Sequence, residues 1–159
     1  MMKLAGQTEG RQQWTDTSAA VTAVVEGTAG IGDARDAACG FMESLRVDHG
    51  IEVSSRAVGM VQLVVSELVT NARKHAPGPC VMTLEADGEA VTVTVWDSGT
   101  ALPRILPPNP ARVGQHGLEI VMAVSRSFEI HREPVGKRIR ASVVLADDPG
   151  GDAAGRQPM

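Results

Sequence analysis

Two neighbouring stretches, residues 80–86 and 90–96, restrict the fold more than any other part of this chain. In both, apolar and polar side chains alternate, which is the pattern of strands that bury one face. Asp87 and Gly88 lie between them and form a dipeptide typical of a tight hairpin turn. The chain is therefore expected to contain an antiparallel hairpin within a sheet that has one buried face.

Asp97 continues the inward phase of the second strand, which is unusual for a carboxylate. The preceding residues of that phase are three valines: Val91, Val93 and Val95. An Asx turn that ends the strand at Ser98 would explain the aspartate without any ligand. The other interpretation is a carboxylate directed into the layer between the sheet and the helices.

The remaining pattern predicts an α+β fold: a two-layer α/β sandwich, with a mostly antiparallel sheet and helices on one face. A first strand is expected at 19–25, followed by a helix that is capped by Asp33 and ends near Gly50. A long helix should run from Ser54 or Ser55 to about Ala76, and a third helix should cover 117–127. The final strands are expected at 128–133 and 139–145, around the turn 134–137.

The chain has 159 residues, a length that fits one domain. We expect a flexible N-terminal arm at 1–17, the ordered unit at 18–146 and a disordered tail at 147–159, because the ends are polar or rich in Gly and Pro. The loop at 101–113 is rich in proline.

Composition excludes several classes of protein. A net charge of −4 does not favour nucleic acid as the main partner. The two cysteines, Cys39 and Cys80, are interpreted as small apolar residues in a reducing compartment, and no C-x-x-C metal spacing is present. No apolar run is long enough to span a bilayer, and the N-terminus lacks the apolar stretch of a signal peptide. A cytoplasmic location without membrane contact is expected.

The long helix carries Glu67 and Asn71 at the border of its apolar face. On a helical wheel the two are neighbours at i and i+4. The buried arc is predicted to hold Val61, Val64, Val65, Leu68 and Ala72, and the solvated arc to hold Gln62, Ser66, Thr70 and Arg73. A carboxylate at an apolar border is costly unless it is paired or reaches water. Glu67 is therefore either a rim residue or a residue that faces a ligand.

Two further features adjoin this pattern. Lys74 is expected at the solvent edge, and His75 points toward the apolar arc, where packing is the favoured role. Gly114 and Gly117 open the third helix, whose free amide groups and positive dipole end can receive a phosphate. The Walker A pattern is absent.

Taken in order, three motifs resemble the histidine-kinase-like ATPase superfamily. They are E-L-x-x-N-A-x-K-H at 67–75, D-x-G at 97–99 and G-x-x-G-L-x-I at 114–120. The amino-acid sequence of the first motif is most similar to the corresponding motif of the bacterial anti-sigma-factor serine/threonine kinase branch. The resemblance implies the superfamily's Bergerat-type fold, with ATP bound between the helices and the sheet.

The resemblance also implies a role for each matching residue. Asn71 would coordinate Mg²⁺, and Glu67 would be the general base. Asp97 would accept the exocyclic amine of adenine, and Gly99 would let the chain pass close to the base. The phosphates would be held by Gly114, Gly117 and Leu118 at the helix N-terminus, with Lys74 within reach of a phosphate.

Two positions depart from the superfamily pattern. Ala101 stands where a second glycine is frequent, and Gly136 is followed by Lys137 and Arg138 without the usual threonine. Both departures are expected to affect turnover more than binding.

Three functions remain open under the resemblance. The first is an ATP- and Mg²⁺-dependent serine/threonine kinase that phosphorylates an anti-sigma antagonist and sequesters a sigma factor, with homodimerisation implied by the branch. The second is a nucleotide-dependent protein-interaction module that transfers no phosphate. The third is the catalytic subunit of a split histidine kinase.

Overall fold

A computed structural model describes residues 2–5, 19–26, 30–76, 78–99 and 117–146, without the side chains of residues 2–5 and of His75. The described strands are β1 Met2–Ala5, β2 Ala19–Val25, β3 Cys80–Ala86, β4 Ala90–Asp97, β5 Ser127–Arg132 and β6 Lys137–Val144. The described helices are α1 Gly30–His49, α2 Ser55–His75 and α3 Gly117–Val124.

The six described strands form one sheet in the order β1-β2-β3-β4-β6-β5, and every neighbouring pair is antiparallel. The helices pack on one face, with α2 over β3, β4 and β6 and with α1 beside it. The predicted two-layer α+β sandwich is confirmed. Strand β4 lies in the interior of the sheet between β3 and β6, and its last residue, Asp97, is paired with Lys137 of β6.

The core lies between the sheet and α2. The predicted apolar arc of α2 is buried, and Val61, Val64, Val65 and Leu68 have no exposed surface. Full burial of a side chain such as Leu68 contributes about 2 kcal/mol to folding. The inward residues of β4 meet this arc, since Val91 and Val93 are also fully buried.

Helix α2 begins and ends where the sequence predicts. The Ser54 hydroxyl accepts a hydrogen bond of 3.0 Å from the Ala57 amide, which identifies Ser54 as the N-cap. The Ser54 amide donates to the Leu145 carbonyl at 2.8 Å, so the start of the helix is tied to the end of β6. At the other end, the Ala76 amide donates to Ala72.

The predicted hairpin is also confirmed. Asp87 Oδ1 accepts from the amides of Glu89 at 2.9 Å and Ala90 at 3.1 Å. These two hydrogen bonds lower the pKa of the Asp87 carboxyl group. They hold the turn that sets the register between Leu84 and Val93.

Helix α1 begins at Gly30, three residues before the predicted cap at Asp33. This first residue lies close to β2, because a Cβ on Gly30 would stand 2.9 Å from Val25 Cγ1. The predicted end is confirmed: Gly50 has φ of 66°, and the Ile51 amide donates to the Leu45 carbonyl at 2.9 Å.

Four expectations differ from the structure. Residues 2–5 of the predicted arm form β1 and pair with β2. Helix α3 ends at Val124, because the Arg126 amide donates to the Ser142 carbonyl at 2.7 Å and the chain enters the sheet. Lys137 belongs to β6 and not to a turn. All four residues of the predicted solvated arc of α2 are half-buried, and α1 packs against this helix.

One side-chain hydrogen bond joins the N-terminal half of α2 to α1. Gln62 Nε2 donates to Cys39 Sγ of α1 at 2.9 Å. The proline-rich loop at 101–113, the tail at 147–159 and the rest of the predicted arm lie outside the described residues.

Candidate functional site

Glu67 lies against the first residue of α3. A Cβ added to Gly117 would stand 2.6 Å from Glu67 Oε1 and 3.6 Å from its carboxyl carbon. Glu67 is half-buried, as expected for a residue at the border of the apolar arc. The carboxylate is thus at the N-terminus of a helix, where the helix dipole stabilises negative charge.

Asn71 lies one turn further along the same face of α2. Its Oδ1 atom is buried and has no hydrogen-bond partner among the described residues. A buried amide oxygen without a partner costs about 1–3 kcal/mol. An amide oxygen is a ligand that Mg²⁺ accepts, so Asn71 fits a site for this ion.

Asp97 ends β4 with its side chain inside the molecule, and the residue is 2% exposed. Its Oδ1 atom accepts from the Gly99 amide at 2.8 Å, so the strand does end in the predicted Asx-type bond. The same Oδ1 atom accepts from Lys137 Nζ at 2.9 Å. The carboxylate is therefore both a turn-forming group and one half of a buried ion pair.

Lys137 is the residue that sequence reasoning missed. It lies directly opposite Asp97 in the β4–β6 pairing and has no exposed surface. A signal was present, since Lys137 shares the inward phase of Ile139, Ala141 and Val143. The sequence conceals this phase, because Gly136-Lys137 follows Pro134 and Val135 and has the pattern of a turn.

Gly136 brings the two strands together at this point. It has φ of 83°, and a Cβ there would stand 1.9 Å from the carbonyl oxygen of Asp97. Only glycine fits this conformation and this approach. The pairing of Asp97 with Lys137 thus depends on the glycine before Lys137.

The pKa of the Cys80 thiol, at the start of β3, is shifted by burial and by nearby charges. Burial raises the pKa of the Cys80 thiol to about 11, the negative charge of Asp97 contributes further, and the Arg73 guanidinium opposes the shift. Arg73 and Asp97 thus act on the same thiol with opposite sign, and helix α2 itself packs against β4.

The other predicted site residues are placed less completely. Gly99 is half-buried next to Asp97, and Leu118 is 5% exposed and packs in the core. Lys74 is exposed, which matches its expected place at the solvent edge. Gly114 and the His75 side chain lie outside what the structure describes.

This arrangement joins groups that suit a nucleotide with a divalent ion. Glu67 and Gly117 adjoin at the start of α3, where backbone amides can bind phosphate. Asn71 offers an oxygen for the ion, and Asp97 offers an acceptor for an N–H donor.

The family of the chain follows from its sequence over the same region. Residues 33–143 match the family described as the histidine kinase-like ATPase domain. This match covers more than half of the 159 residues, including α2, β4, α3 and all of β6 except Val144. The chain belongs to the histidine kinase-like ATPase domain family.

Individual relatives are known as well. The chain is 33% identical to the sensor protein KdpD of Mycobacterium tuberculosis strain CDC 1551 / Oshkosh over 129 residues, which cover 72% of this chain. The same protein of strain ATCC 25618 / H37Rv matches to the same extent. The chain spans 14% of the length of these relatives.

Among solved structures, the chain is similar to the histidine kinase domain of the blue-light activated histidine kinase from Erythrobacter litoralis EL346. The two share 23% sequence identity with a TM-score of 0.43, over 74% of this chain and 60% of that chain. Within the described residues, no helix has the length and apolar character needed to cross a membrane.

Proposed function

We propose that the chain binds ATP with Mg²⁺ and transfers a phosphoryl group to a serine or threonine of a protein partner. One observation carries the proposal: the unpartnered, buried Oδ1 of Asn71 lies one turn from Glu67, whose carboxylate meets the start of α3. Burying an amide oxygen without a partner next to a half-buried carboxylate costs free energy, and a bound ion would remove this cost.

Each residue then has a distinct task. Asn71 binds the ion through Oδ1, and the Asp97 carboxylate accepts a hydrogen bond from the exocyclic amine of adenine. Gly117 and Gly114, at the start of α3, bind phosphate. The bound nucleotide and its ion supply the phosphoryl group and neutralise the charge that develops during transfer. Glu67 accepts the proton of the attacking hydroxyl, whose oxygen forms the new bond to phosphorus as the bond to ADP breaks.

The partner proposed is an antagonist of an anti-sigma factor, with sequestration of a sigma factor as the second activity. The support is the resemblance of residues 67–75 to the anti-sigma-factor kinase branch. Belonging to the histidine kinase-like ATPase domain family agrees with this but also fits other kinases.

The test is transfer of radiolabelled phosphate from ATP to candidate antagonist proteins. Glu67→Gln keeps the size of the side chain and removes the proton acceptor, so we expect labelling to fall at least about a hundredfold. Ser66→Ala, the preceding residue on α2, is the control and should label normally. Equal labelling by wild type and Glu67→Gln would exclude Glu67 as the base.

A second candidate is phosphorylation of a histidine on a separate protein. Its support is that the relatives are sensor proteins and that the family is described as histidine kinase-like. The labelled product distinguishes the two, because a phosphoester of serine or threonine survives acid whereas phosphohistidine does not. Acid-labile label would replace the serine/threonine proposal.

A third candidate, nucleotide binding without transfer, predicts a different pair of results. Calorimetry would show ADP binding that Asp97→Asn weakens, while no partner would acquire label. Absence of nucleotide binding by the wild type would contradict all three candidates.

A further inference from the structure

The ion pair between Lys137 and Asp97 is buried to an unusual degree. Both side chains are almost without exposed surface, at 1% for Lys137 and 2% for Asp97. Removing an ammonium and a carboxylate from water is costly, and mutual attraction offsets this cost only where the geometry is good. A chain that needed only stability at this place could use two apolar residues instead.

The two hydrogen bonds to Asp97 converge on one oxygen. Oδ1 accepts from Lys137 Nζ at 2.9 Å and from the Gly99 amide at 2.8 Å. These donors come from different strands or loops, and Gly136 holds the two strands in close contact beside them. The carboxylate is thus held in one orientation through Oδ1.

We propose that Lys137 is the positioning residue of the base-recognition carboxylate and thereby sets a preference for 6-amino over 6-oxo purines. This inference rests on the proposed function, in which Asp97 accepts the amine of adenine. Lys137 holds Oδ1 and supplies the compensating charge, so Oδ2 is presented as a pure acceptor.

The preference follows from the chemistry of the two bases. A 6-amino group donates a hydrogen bond to Oδ2, whereas a 6-oxo group presents a second acceptor to the same atom. Without Lys137, the carboxylate can rotate away from the 6-amino group, which weakens the hydrogen bond that distinguishes the two bases. The loss of Lys137 should therefore relax discrimination more than it weakens phosphate binding.

The experiment measures binding of ADP and IDP by calorimetry at pH 7.5 with Mg²⁺, together with binding of inorganic tripolyphosphate. We expect wild type to favour ADP over IDP by at least about tenfold, the effect of one hydrogen bond to a charged group. In Lys137→Met this ratio should fall to about threefold or less, with tripolyphosphate affinity unchanged. The control, Arg138→Met, removes a neighbouring cation that pairs with Glu133 at 3.2 Å and should keep the wild-type ratio.

A second variant keeps the inference testable if Lys137→Met does not fold. Lys137→Gln retains a donor of similar length without the charge and should show an intermediate ratio. Loss of affinity for ADP, IDP and tripolyphosphate in equal proportion would show a merely structural role and overturn the inference. An unchanged ratio in either folded variant would overturn it too, whereas wild type that binds no nucleotide would contradict the proposed function itself.

Discussion

Gly117 and Glu67 are so close that a single added methyl group would enter the space of the carboxylate. The Cβ would stand 2.6 Å from Glu67 Oε1, which is below the distance that real Cβ contacts show. Glu67 is the flexible partner in this contact, so it would move while the backbone of α3 stays in place.

We therefore expect Gly117→Ala to reduce phosphate transfer at least about tenfold, because Glu67 would be displaced from its working position. The free energy of unfolding should change by less than about 1 kcal/mol, since alanine is a better helix former than glycine. The comparison is Gly40→Ala in α1, where an added Cβ meets no atom within 4 Å. If Gly117→Ala transferred phosphate at the wild-type rate, the position of Glu67 would not matter for the reaction, and the prediction would be wrong.

Asn71→Leu should make the fold more stable and the site less functional. Leucine has nearly the shape of asparagine and removes the buried Oδ1 that has no partner among the described residues. We expect the free energy of unfolding in urea to rise by about 1 kcal/mol, while Mg²⁺-dependent ADP affinity falls at least about tenfold. If the Asn71→Leu variant were much less stable than wild type, Oδ1 would have to accept a hydrogen bond in the protein without ligand.

Gly136→Ala should be among the most destabilising single changes in this chain. Its Cβ would stand 1.9 Å from the Asp97 carbonyl oxygen, and the residue has φ of 83°. A loss of more than about 3 kcal/mol is expected, measured by urea unfolding. Gly59→Ala in α2 is the matched change, since its Cβ meets nothing within 4 Å, and it should gain about 0.5–1 kcal/mol. Similar stabilities of the two variants would contradict the close approach of the strands.

The two cysteines should differ in reactivity. Cys39 is half-buried, whereas Cys80 is buried and the pKa of its thiol is raised from 9.0 to about 11. At pH 8 a thiol reagent should label one thiol in native wild type, none in Cys39→Ser and one in Cys80→Ser, because the thiolate is the reactive form. In denaturant both thiols should react, and fast labelling of native Cys39→Ser would contradict burial of Cys80.

The same thiol predicts the sign of a pH effect on stability. The unfolded state releases its proton near pH 9, and the folded state keeps it until about pH 11. The contribution of Cys80 to stability is therefore complete below pH 9 and is lost between these two values. Urea unfolding at pH 8 and pH 10 should show a smaller pH-dependent loss in Cys80→Ala than in wild type.

The sequence predicted the hairpin, the cap of α2 and the inward direction of Asp97 because these depend on local pattern. Asp87-Gly88 and Ser54 determine their own surroundings, so no distant contact was needed to place them. The same holds for Gly50 at the end of α1.

The errors arose where distant parts of the chain meet. Strand β1 exists through its pairing with β2, which no pattern within four residues can reveal. Gln62 and Arg73 were placed in solvent because a helical wheel does not show that α1 covers that side. Lys137 was missed because a lysine at an inward position is costly, and only its partner Asp97, 40 residues away, makes it acceptable.

The central position of β4 and α2 has a consequence for hydrogen exchange. Strand β4 is hydrogen-bonded to β3 on one side and to β6 on the other, and α2 covers the middle of the sheet, so the amides of β4 should exchange only when the whole domain opens. Glu67, Asn71 and Asp97 are therefore carried by the slowest-exchanging elements, whereas Gly117 begins a short helix at the periphery. Because a ligand that binds the folded state raises the free energy of this global opening, nucleotide binding should slow exchange in β4 as well as in α3.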